Sequence, residues 1–363
     1  MSAPSGGQPG QSGPHQFYEW RGSAYEVGFQ HGQTLRAEIV AEAAAVVESF
    51  ARERGESESA ALEWARRVWE PLFREHVPRV LEEIRGLADG GGFAYDWMFF
   101  AALHGGTKAG PVRARNACTA FACGPAATRD GAALMGQTKD TSAPLSRYRI
   151  MRLLTSDGPA RVMLNYPGWI THLGLSEHGL FNTCNSLHAP PPGADAAPLS
   201  LLRAMVSEKR SVDEVLRAIR GLSFDNGCTM IGDRSGRLVC IETAAGRVDV
   251  RDVSGAPFAH ANSILSPALQ PFENRPLPWP SSDRRQANLQ QLLDAEQGRI
   301  TVDMLKRFAA DHTDGPLAIC RHGPDKEPIW TTAAVVAELA GGRLHIAIGA
   351  PCTAPFKTYG VRG

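Results

Sequence analysis

The stretch that most constrains this chain is Asn116-Ala117-Cys118-Thr119-Ala120-Phe121-Ala122-Cys123-Gly124, continued by Asp130-Gly131 and then Ala132-Ala133-Leu134-Met135-Gly136-Gln137-Thr138-Lys139-Asp140. Small and apolar residues on either side of an Asp-Gly turn predict two strands folded back as an antiparallel hairpin. Such a hairpin carries a thiol, Cys118, at the start of its first strand and a carboxylate, Asp140, at the end of its second. The rest of the chain reads as packaging around it.

The thiol poses a chemical problem. A free cysteine has a pKa of about 8.5, so at neutral pH it needs a base or a positive charge to become an effective nucleophile. One solution makes the residue an amino terminus, because an α-amino group of pKa about 7.7 to 8.0 can then serve as its base. That requires cutting the Ala117-Cys118 bond. The thiol can do this by attacking the Ala117 carbonyl to form a thioester that water hydrolyses. Arg113 and Arg115 just upstream predict an exposed loop. By residue preference alone, a cysteine before a strand is usually a packed core residue.

Composition narrows the alternatives. The 363 residues are 43% hydrophobic and 21% charged, with 38 basic residues against 38 acidic ones, which points away from nucleic acid or an anionic membrane as partner. No run approaches the roughly 18 to 20 apolar residues of a membrane span. The segment 1–16, rich in Ser, Gly, Pro and Gln, has neither the basic start nor the apolar stretch of a secretory signal and is expected to be a disordered tail. Seven scattered cysteines, an odd number, predict reduced thiols in a cytoplasmic protein. No CxxC pair occurs, Cys118 and Cys123 lack neighbouring ligands, and His31, His260, His312 and His322 show no metal-binding spacing on a helix. No metal is expected.

Taken in order, Trp20 to Gly32 predicts a strand, a Gly-Ser turn and a helix capped near Ser23, with helix continuing to about Arg54. Ala60 to Phe73 has helical spacing that Pro71 is expected to kink or end, and Arg79 to Ala88 repeats it until the glycines at 90–92. Beyond Pro111 short β-rich runs alternate with turns, predicting hairpins over Phe121 to Ala133, Leu173 to Phe181, Met230 to Val239 and Val335 to Leu344. Helical patterns lie between them at Leu199 to Ile219, Arg284 to Leu293 and Val302 to Ala309. Pro267 to Pro280 reads as a surface connection. The class is α+β, two antiparallel sheets stacked with helices outside.

Several motifs together resemble the acyl-coenzyme A:isopenicillin N acyltransferase family of N-terminal-nucleophile hydrolases, which are autoprocessing cysteine enzymes. They are Gly22-Ser23-Ala24-Tyr25-Glu26-Val27-Gly28-Phe29-Gln30-His31-Gly32, Glu83-Ile84-Arg85-Gly86-Leu87-Ala88, Cys118-Thr119-Ala120-Phe121 and Gly136-Gln137-Thr138-Lys139-Asp140. Asn182-Thr183-Cys184-Asn185-Ser186-Leu187-His188, His260-Ala261-Asn262, Ser282-Asp283-Arg284-Arg285 and Ile319-Cys320-Arg321 follow in the family's order. The resemblance runs from about Gly22 to Phe356. It implies an αββα sandwich, a fragment 17–117 retained with a fragment 118–363 after cleavage, and one structural unit. It also implies that Cys118 is the nucleophile, Asp140 the holder of the freed amine and Asn262 an oxyanion donor, with Asn185, Arg321, Ser282 and Arg285 as substrate-binding or supporting residues.

Each of these residues has a plainer alternative. Asp140 could cap a turn through Thr141, Asn262 could serve a turn, Arg321 could pair with Asp311 or Asp314, and Ser282 and Arg285 could cap a helix. His260 with Asn262 also admits a Cys-His-Asn arrangement, although that leaves the Cys118 to Asp140 hairpin unexplained. One departure from the family follows Arg321, where this chain reads His322-Gly323-Pro324-Asp325-Lys326-Glu327-Pro328 in place of a basic stretch.

The expected activity is cleavage of an N-acyl amide bond of a small molecule or short peptide through a thioester, with the acyl group passed to water or an amine. No cofactor is expected, apart from a coenzyme A thioester as an acyl donor. The alternatives are an acyl-coenzyme A-dependent N-acyltransferase of secondary metabolism and a noncatalytic binding protein. Oligomeric state, a homo-oligomer included, is left open.

Overall fold

The computed structural model describes residues 17–103, 117–141, 148–274, 280–323 and 329–363. The expected tail 1–16, the arginines at 113 and 115 and Asn116 lie outside these residues, as does part of the proline-rich connection.

The described residues begin with strand β1 (Phe17–Gly22) and four helices, α1 (Ala24–Arg54), α2 (Glu58–His76), α3 (Pro78–Gly91) and α4 (Tyr95–Leu103). Ser23 starts α1 through a capping box, its hydroxyl accepting from Glu26 N while the Glu26 carboxylate accepts from Ser23 N. Gly55 and Gly92 end α1 and α3 in the left-handed conformation, each at a φ of 66°. Helix α2 runs through Pro71 to His76, five residues beyond where the proline was expected to interrupt it. Its buried face, Ala61, Leu62, Ala65, Trp69 and Phe73, holds that course. Burial of several large side chains at about 1.5 to 3 kcal/mol each offsets a proline penalty of about 3 kcal/mol.

Helices α1 and α3 touch backbone to backbone. A Cβ on Gly28 would overlap Glu83 O, and one on Gly86 would overlap Tyr25 O, so the glycines of the two N-terminal motifs are what let these helices close on each other.

Among the described residues fourteen strands form two sheets. The remaining ones are β2 (Ala117–Cys123), β3 (Leu134–Thr141), β4 (Arg149–Thr155), β5 (Arg161–Asn165), β6 (Leu173–Ser176), β7 (Phe181–Asn182), β8 (Gly227–Gly232), β9 (Leu238–Ala244), β10 (Arg247–Asp252), β11 (Phe258–His260), β12 (Trp330–Glu338), β13 (Arg343–Ile348) and β14 (Lys357–Gly360). The larger sheet runs β1-β4-β5-β6-β7-β8-β9-β10 and the smaller β11-β2-β3-β12-β13-β14. All neighbours are antiparallel except β1 and β4, which pair in parallel over six residues. The segment preceding Cys118 therefore contributes an edge strand as well as helices.

Four further helices are α5 (Leu199–Glu208), α6 (Val212–Ala218), α7 (Pro280–Ala295) and α8 (Val302–Ala309). The helix expected over Leu199 to Ile219 is two, because Ser211 caps a new start by accepting from Glu214 N. The β2–β3 connection is also longer than the expected Asp-Gly turn. It holds a 3₁₀ turn at Pro125–Ala127 before Gly131 takes a φ of 66°.

The layering follows from which faces are apolar. Ala120, Ala122 and Met135 of the small sheet pack against Ile150, Val162, Leu175 and Phe181 of the large one, forming the core between the sheets. Met151, Leu153, Met163, Ile231, Val239 and Ile241 on the large sheet's other face pack against the helical layer. Phe121, Cys123, Leu134 and Val336 on the small sheet's other face meet Leu289, Leu293 and Leu305 of α7 and α8. The result is helix, sheet, sheet, helix. With both faces covered, β2 is buried at every position, so it reads in the sequence as a small and apolar run interrupted only by Thr119.

Candidate active site

Two-residue alternation along β2 and β3 decides where the chemistry sits. The strands pair with Ala117 opposite Asp140 and Cys118 opposite Lys139. On β2, Ala120 and Ala122 face the inter-sheet core, and Cys118, two residues before Ala120, shares that side. On β3 the same side carries Met135, Gln137 and Lys139. The opposite side carries Asp140, toward α7. The thiol and the carboxylate thus lie on different faces of the hairpin, at the same end of it.

Cys118 is 1% exposed in the continuous chain. Its backbone N donates to Asn262 Oδ1 at 3.0 Å. Its carbonyl accepts from Asn185 Nδ2 at 3.2 Å and from Arg285 Nη1 at 2.7 Å. The guanidinium of Arg285 is itself wholly buried and also donates to Thr119 Oγ1 at 2.7 Å, to Asn262 Oδ1 at 2.9 Å and to Ser281 Oγ at 3.1 Å. These inward contacts replace the helix-capping alternative for Arg285. Asn262 N donates to Ser282 Oγ at 2.9 Å, and Asn262 Nδ2 donates to Ser186 O at 3.0 Å. With two donors on its oxygen and one acceptor on its nitrogen, the Asn262 side chain turns its oxygen toward Cys118.

Asp140 is fully buried. Its Oδ1 accepts from Thr331 Oγ1 at 2.7 Å, and Arg285 Nη1 stands 4.0 Å from Oδ2. Among the described residues no donor hydrogen-bonds Oδ2. A buried carboxylate oxygen without a donor is uncommon enough to call for a partner. Burial raises the Asp140 carboxyl above the usual range, while Arg285, Arg321 and Thr331 pull it down. Burial likewise pushes the Cys118 thiol up, and the Lys139 ammonium, hydrogen-bonded to it, acts in the opposite sense. Lys139 Nζ also donates to Cys184 Sγ at 3.7 Å.

The loop after β7 is pinned to this place by both ends of the Gln137 amide: Gln137 Nε2 donates to Cys184 O, and Oε1 accepts from Cys184 N at 2.8 Å. Asn185 then pairs with Cys228 through two backbone bonds of 2.8 Å, which aims its side chain at Cys118. Arg321 is more remote. Its backbone N donates to Thr331 Oγ1 at 2.8 Å and its Nε to Pro316 O at 3.1 Å.

The hairpin's two ends, Asn262, Asn185, Ser282 and Arg285 are therefore gathered by direct contact, and Arg321 by way of Thr331. Lys139 and Thr331 were not singled out in the sequence. Strand alternation could have found Lys139, since it places that residue beside Cys118. The histidine alternative finds no geometry. His260 Nε2 faces Glu242 Oε1 at 2.9 Å and Nδ1 faces Ala261 O at 2.8 Å, so neither nitrogen is left for the thiol.

No family model matches the chain. It is 25% identical over 354 residues, 93% of this chain and 94% of the other, to the 40 kDa form of acyl-coenzyme A:6-aminopenicillanic-acid-acyltransferase from Emericella nidulans. Among solved structures, a conjugated bile acid hydrolase from Clostridium perfringens overlays 67% of this chain and 96% of its own at 13% identity and a TM-score of 0.46. Penicillin V acylase from Agrobacterium tumefaciens overlays 67% and 86% at 11% identity and a TM-score of 0.42. By its ordered motifs, by its helix-sheet-sheet-helix layers and by a similarity that spans nearly its whole length, the chain resembles the acyl-coenzyme A:isopenicillin N acyltransferase family of N-terminal-nucleophile hydrolases.

Proposed function

We propose that this protein is an autoprocessed amide hydrolase or acyltransferase whose nucleophile is the thiol of Cys118. The observation that carries the reading is the pairing of Ala117 with Asp140, whose buried Oδ2 has no hydrogen-bond donor among the described residues. Cutting the Ala117-Cys118 bond would create an ammonium at the end of the hairpin, and an acceptor of this kind is what such a group needs.

In this reading the Cys118 sulfur attacks the Ala117 carbonyl carbon. The C–N bond breaks, a thioester forms, and the nitrogen takes up the proton given by the thiol. Water then hydrolyses the thioester, leaving an Ala117 carboxylate and returning the Cys118 thiol beside the amine freed in the first step. In turnover, that amine accepts the thiol proton while sulfur attacks the substrate amide. The leaving amine takes the proton, and water or an acceptor amine releases the acyl group. Lys139 favours the thiolate, and Asp140 holds the Cys118 nitrogen. Asn262 supplies an oxyanion donor by exchanging Ser186 O for the substrate oxygen, and Asn185 and Arg285 keep the strand end in place. Removing one oxyanion donor typically costs about 3 kcal/mol of transition-state stabilisation.

The substrate class is an N-acylated small molecule or short peptide. An acyl-coenzyme A donor, the group in the fungal relative's name, would enter through the same thioester. Fragments 1–117 and 118–363 stay associated, because β1 is laddered to β4 and the helices cover the large sheet.

Intact-mass measurement of the purified protein tests this. A fragment beginning at Cys118, absent in Cys118→Ala, and an acyl adduct on Cys118 after incubation with an amide library are the expected results. A chain that stays whole after long incubation and takes up no acyl group defeats the reading.

A further inference from the structure

Four side chains with metal-ligating atoms, distant in sequence, converge beside the small sheet. His312 follows α8, Cys320 and His322 lie in the segment leading into β12, and Cys352 sits in the turn after β13. Their ligand atoms all lie within 4.8 Å of one another, with Cys320 buried and the other three exposed. Cys320 Sγ and Cys352 Sγ are 3.7 Å apart. His322 Nε2 stands 3.6 Å from Cys320 Sγ, 3.3 Å from Cys352 Sγ and 2.9 Å from His312 Nε2.

These separations can be compared with the edges of a tetrahedron. Zn–S bonds of about 2.3 Å and Zn–N bonds of about 2.0 to 2.1 Å require edges of about 3.8 Å for S–S, about 3.6 Å for S–N and about 3.3 Å for N–N. The S–S edge, the two S–N edges at His322 and the N–N edge match these to within about 0.4 Å, and both sulfurs lie within 4.8 Å of the His312 ligand atom. Hydrogen bonding accounts for it less well: one imidazole nitrogen offers a single proton or a single lone pair, yet His322 Nε2 has three partners. A disulfide would bring the sulfurs to about 2.05 Å, much closer than they stand.

We propose that His312, Cys320, His322 and Cys352 bind Zn²⁺ or a similarly thiophilic divalent cation. Binding displaces the two thiol protons to solvent, and two thiolates with two neutral imidazoles balance the charge of the ion. Four protein ligands close the coordination sphere, so the site is structural. It ties the segment 312–322 to the turn after β13. That segment carries Arg321, whose backbone N donates to the Thr331 hydroxyl, which in turn donates to Asp140. The ion thus steadies the support of the carboxylate, a consequence that rests on the proposed role of Asp140; the site itself does not.

A sequence search by spacing passes over this site because neither pair is closely spaced on one helix. The other grouping among the described residues, Cys228, Cys240 and His260, carries no such proposal, since Glu242 and Ala261 O occupy both His260 nitrogens.

The test uses the full chain as Cys118→Ala, so metal content is read independently of processing. Elemental analysis should find about one zinc per chain, and Co²⁺ added to the metal-free protein should give tetrahedral absorption with thiolate charge transfer. Cys352→Ser, at an exposed position, should abolish the charge-transfer band from that thiolate and weaken binding by 10-fold or more; the exposed-site variant His312→Ala should weaken binding likewise while keeping thiolate character in the spectrum. Chelator should expose Cys352 to alkylation. The proposal is overturned by metal content that these variants leave unchanged, by a Co²⁺ spectrum without thiolate character, or by a Cys320–Cys352 disulfide in unreduced protein.

Discussion

The helical layer on the large sheet and the end of the β2–β3 hairpin are both closed to water, yet they are built from opposite materials. The layer is apolar: Phe50, Trp69, Phe73, Phe99 and Phe100 fill it, and glycines bring α1 against α3. Its main buried ionic contact, Glu83 with Arg161, links it to the large sheet. The hairpin end gathers Lys139, Asp140, Asn185, Asn262 and Arg285 around one cysteine, all of them 7% exposed or less. Burying such groups costs free energy, and among the described residues Asp140 Oδ2 lacks even a hydrogen-bond donor. One region stabilises the molecule, while the other spends stability on a defined arrangement of charge.

This contrast is open to attack from its strongest consequence downward. Cys118→Ala should remove processing and turnover altogether while leaving the melting temperature nearly unchanged, read by intact mass and calorimetry. A cleaved Cys118→Ala chain would dissolve the distinction at once. Asp140→Asn keeps the shape but weakens the acceptor for the amine, and turnover of cleaved enzyme should fall by about 10²-fold or more. Unaltered turnover would make Asp140 a packing residue.

Lys139→Met should move the acidic limb of the rate profile to higher pH, because Lys139 works against the burial that raises the thiol. A profile that stays in place would separate Lys139 from the nucleophile. On the other side of the comparison, Gly28→Leu should cost about 1 to 3 kcal/mol or more by forcing α1 from α3, seen as a lower denaturation midpoint. Turnover per folded molecule should be spared.

The effect that is smallest near neutral pH, growing only in acid, is that of a buried histidine. His31 is buried between Trp20, stacked at 4.8 Å, and Gly168 N, which donates to its Nε2 at 3.0 Å. Burial lowers its pKa from 6.5 to about 3. The unfolded chain therefore takes a proton in that interval while the folded one does not, so stability is complete above the upper value and is lost as pH falls. The loss is up to about 1.4 kcal/mol per pH unit for this group. Burial depresses His172 in the same sense. Thermal melts of His31→Gln should show a shallower acid limb, and an unchanged limb would remove His31 as its source.

Periodicity and turn chemistry carried much of the architecture. Ser23 and the glycines at 90–92 marked helix ends, and the turns holding Gly179, Gly236 and Gly342 marked hairpins, because these are local conformational demands. Pro71 misled because core packing across α2 outweighed a local penalty. The split at Ser211 was missed because apolar spacing continued through it. Asn185, Asn262, Ser282 and Arg285 were named only through ordered motifs, since nothing in a single asparagine reveals what it will face. Lys139 was in plain view but had no reason to be chosen until its pairing with Cys118 was known.

What the sequence determined by itself was the α+β class, the hairpin with a thiol at one end and a carboxylate at the other, and the resemblance carried by its motifs. These rest on neighbours along the chain. The tertiary structure alone decided that Lys139 meets the thiol, that Asn262 presents its oxygen to the Cys118 nitrogen, and that His312, Cys320, His322 and Cys352 share a centre. Such contacts depend on strand register and on the stacking of two sheets. Both are set by the summed burial of side chains far apart in sequence, which no local pattern records.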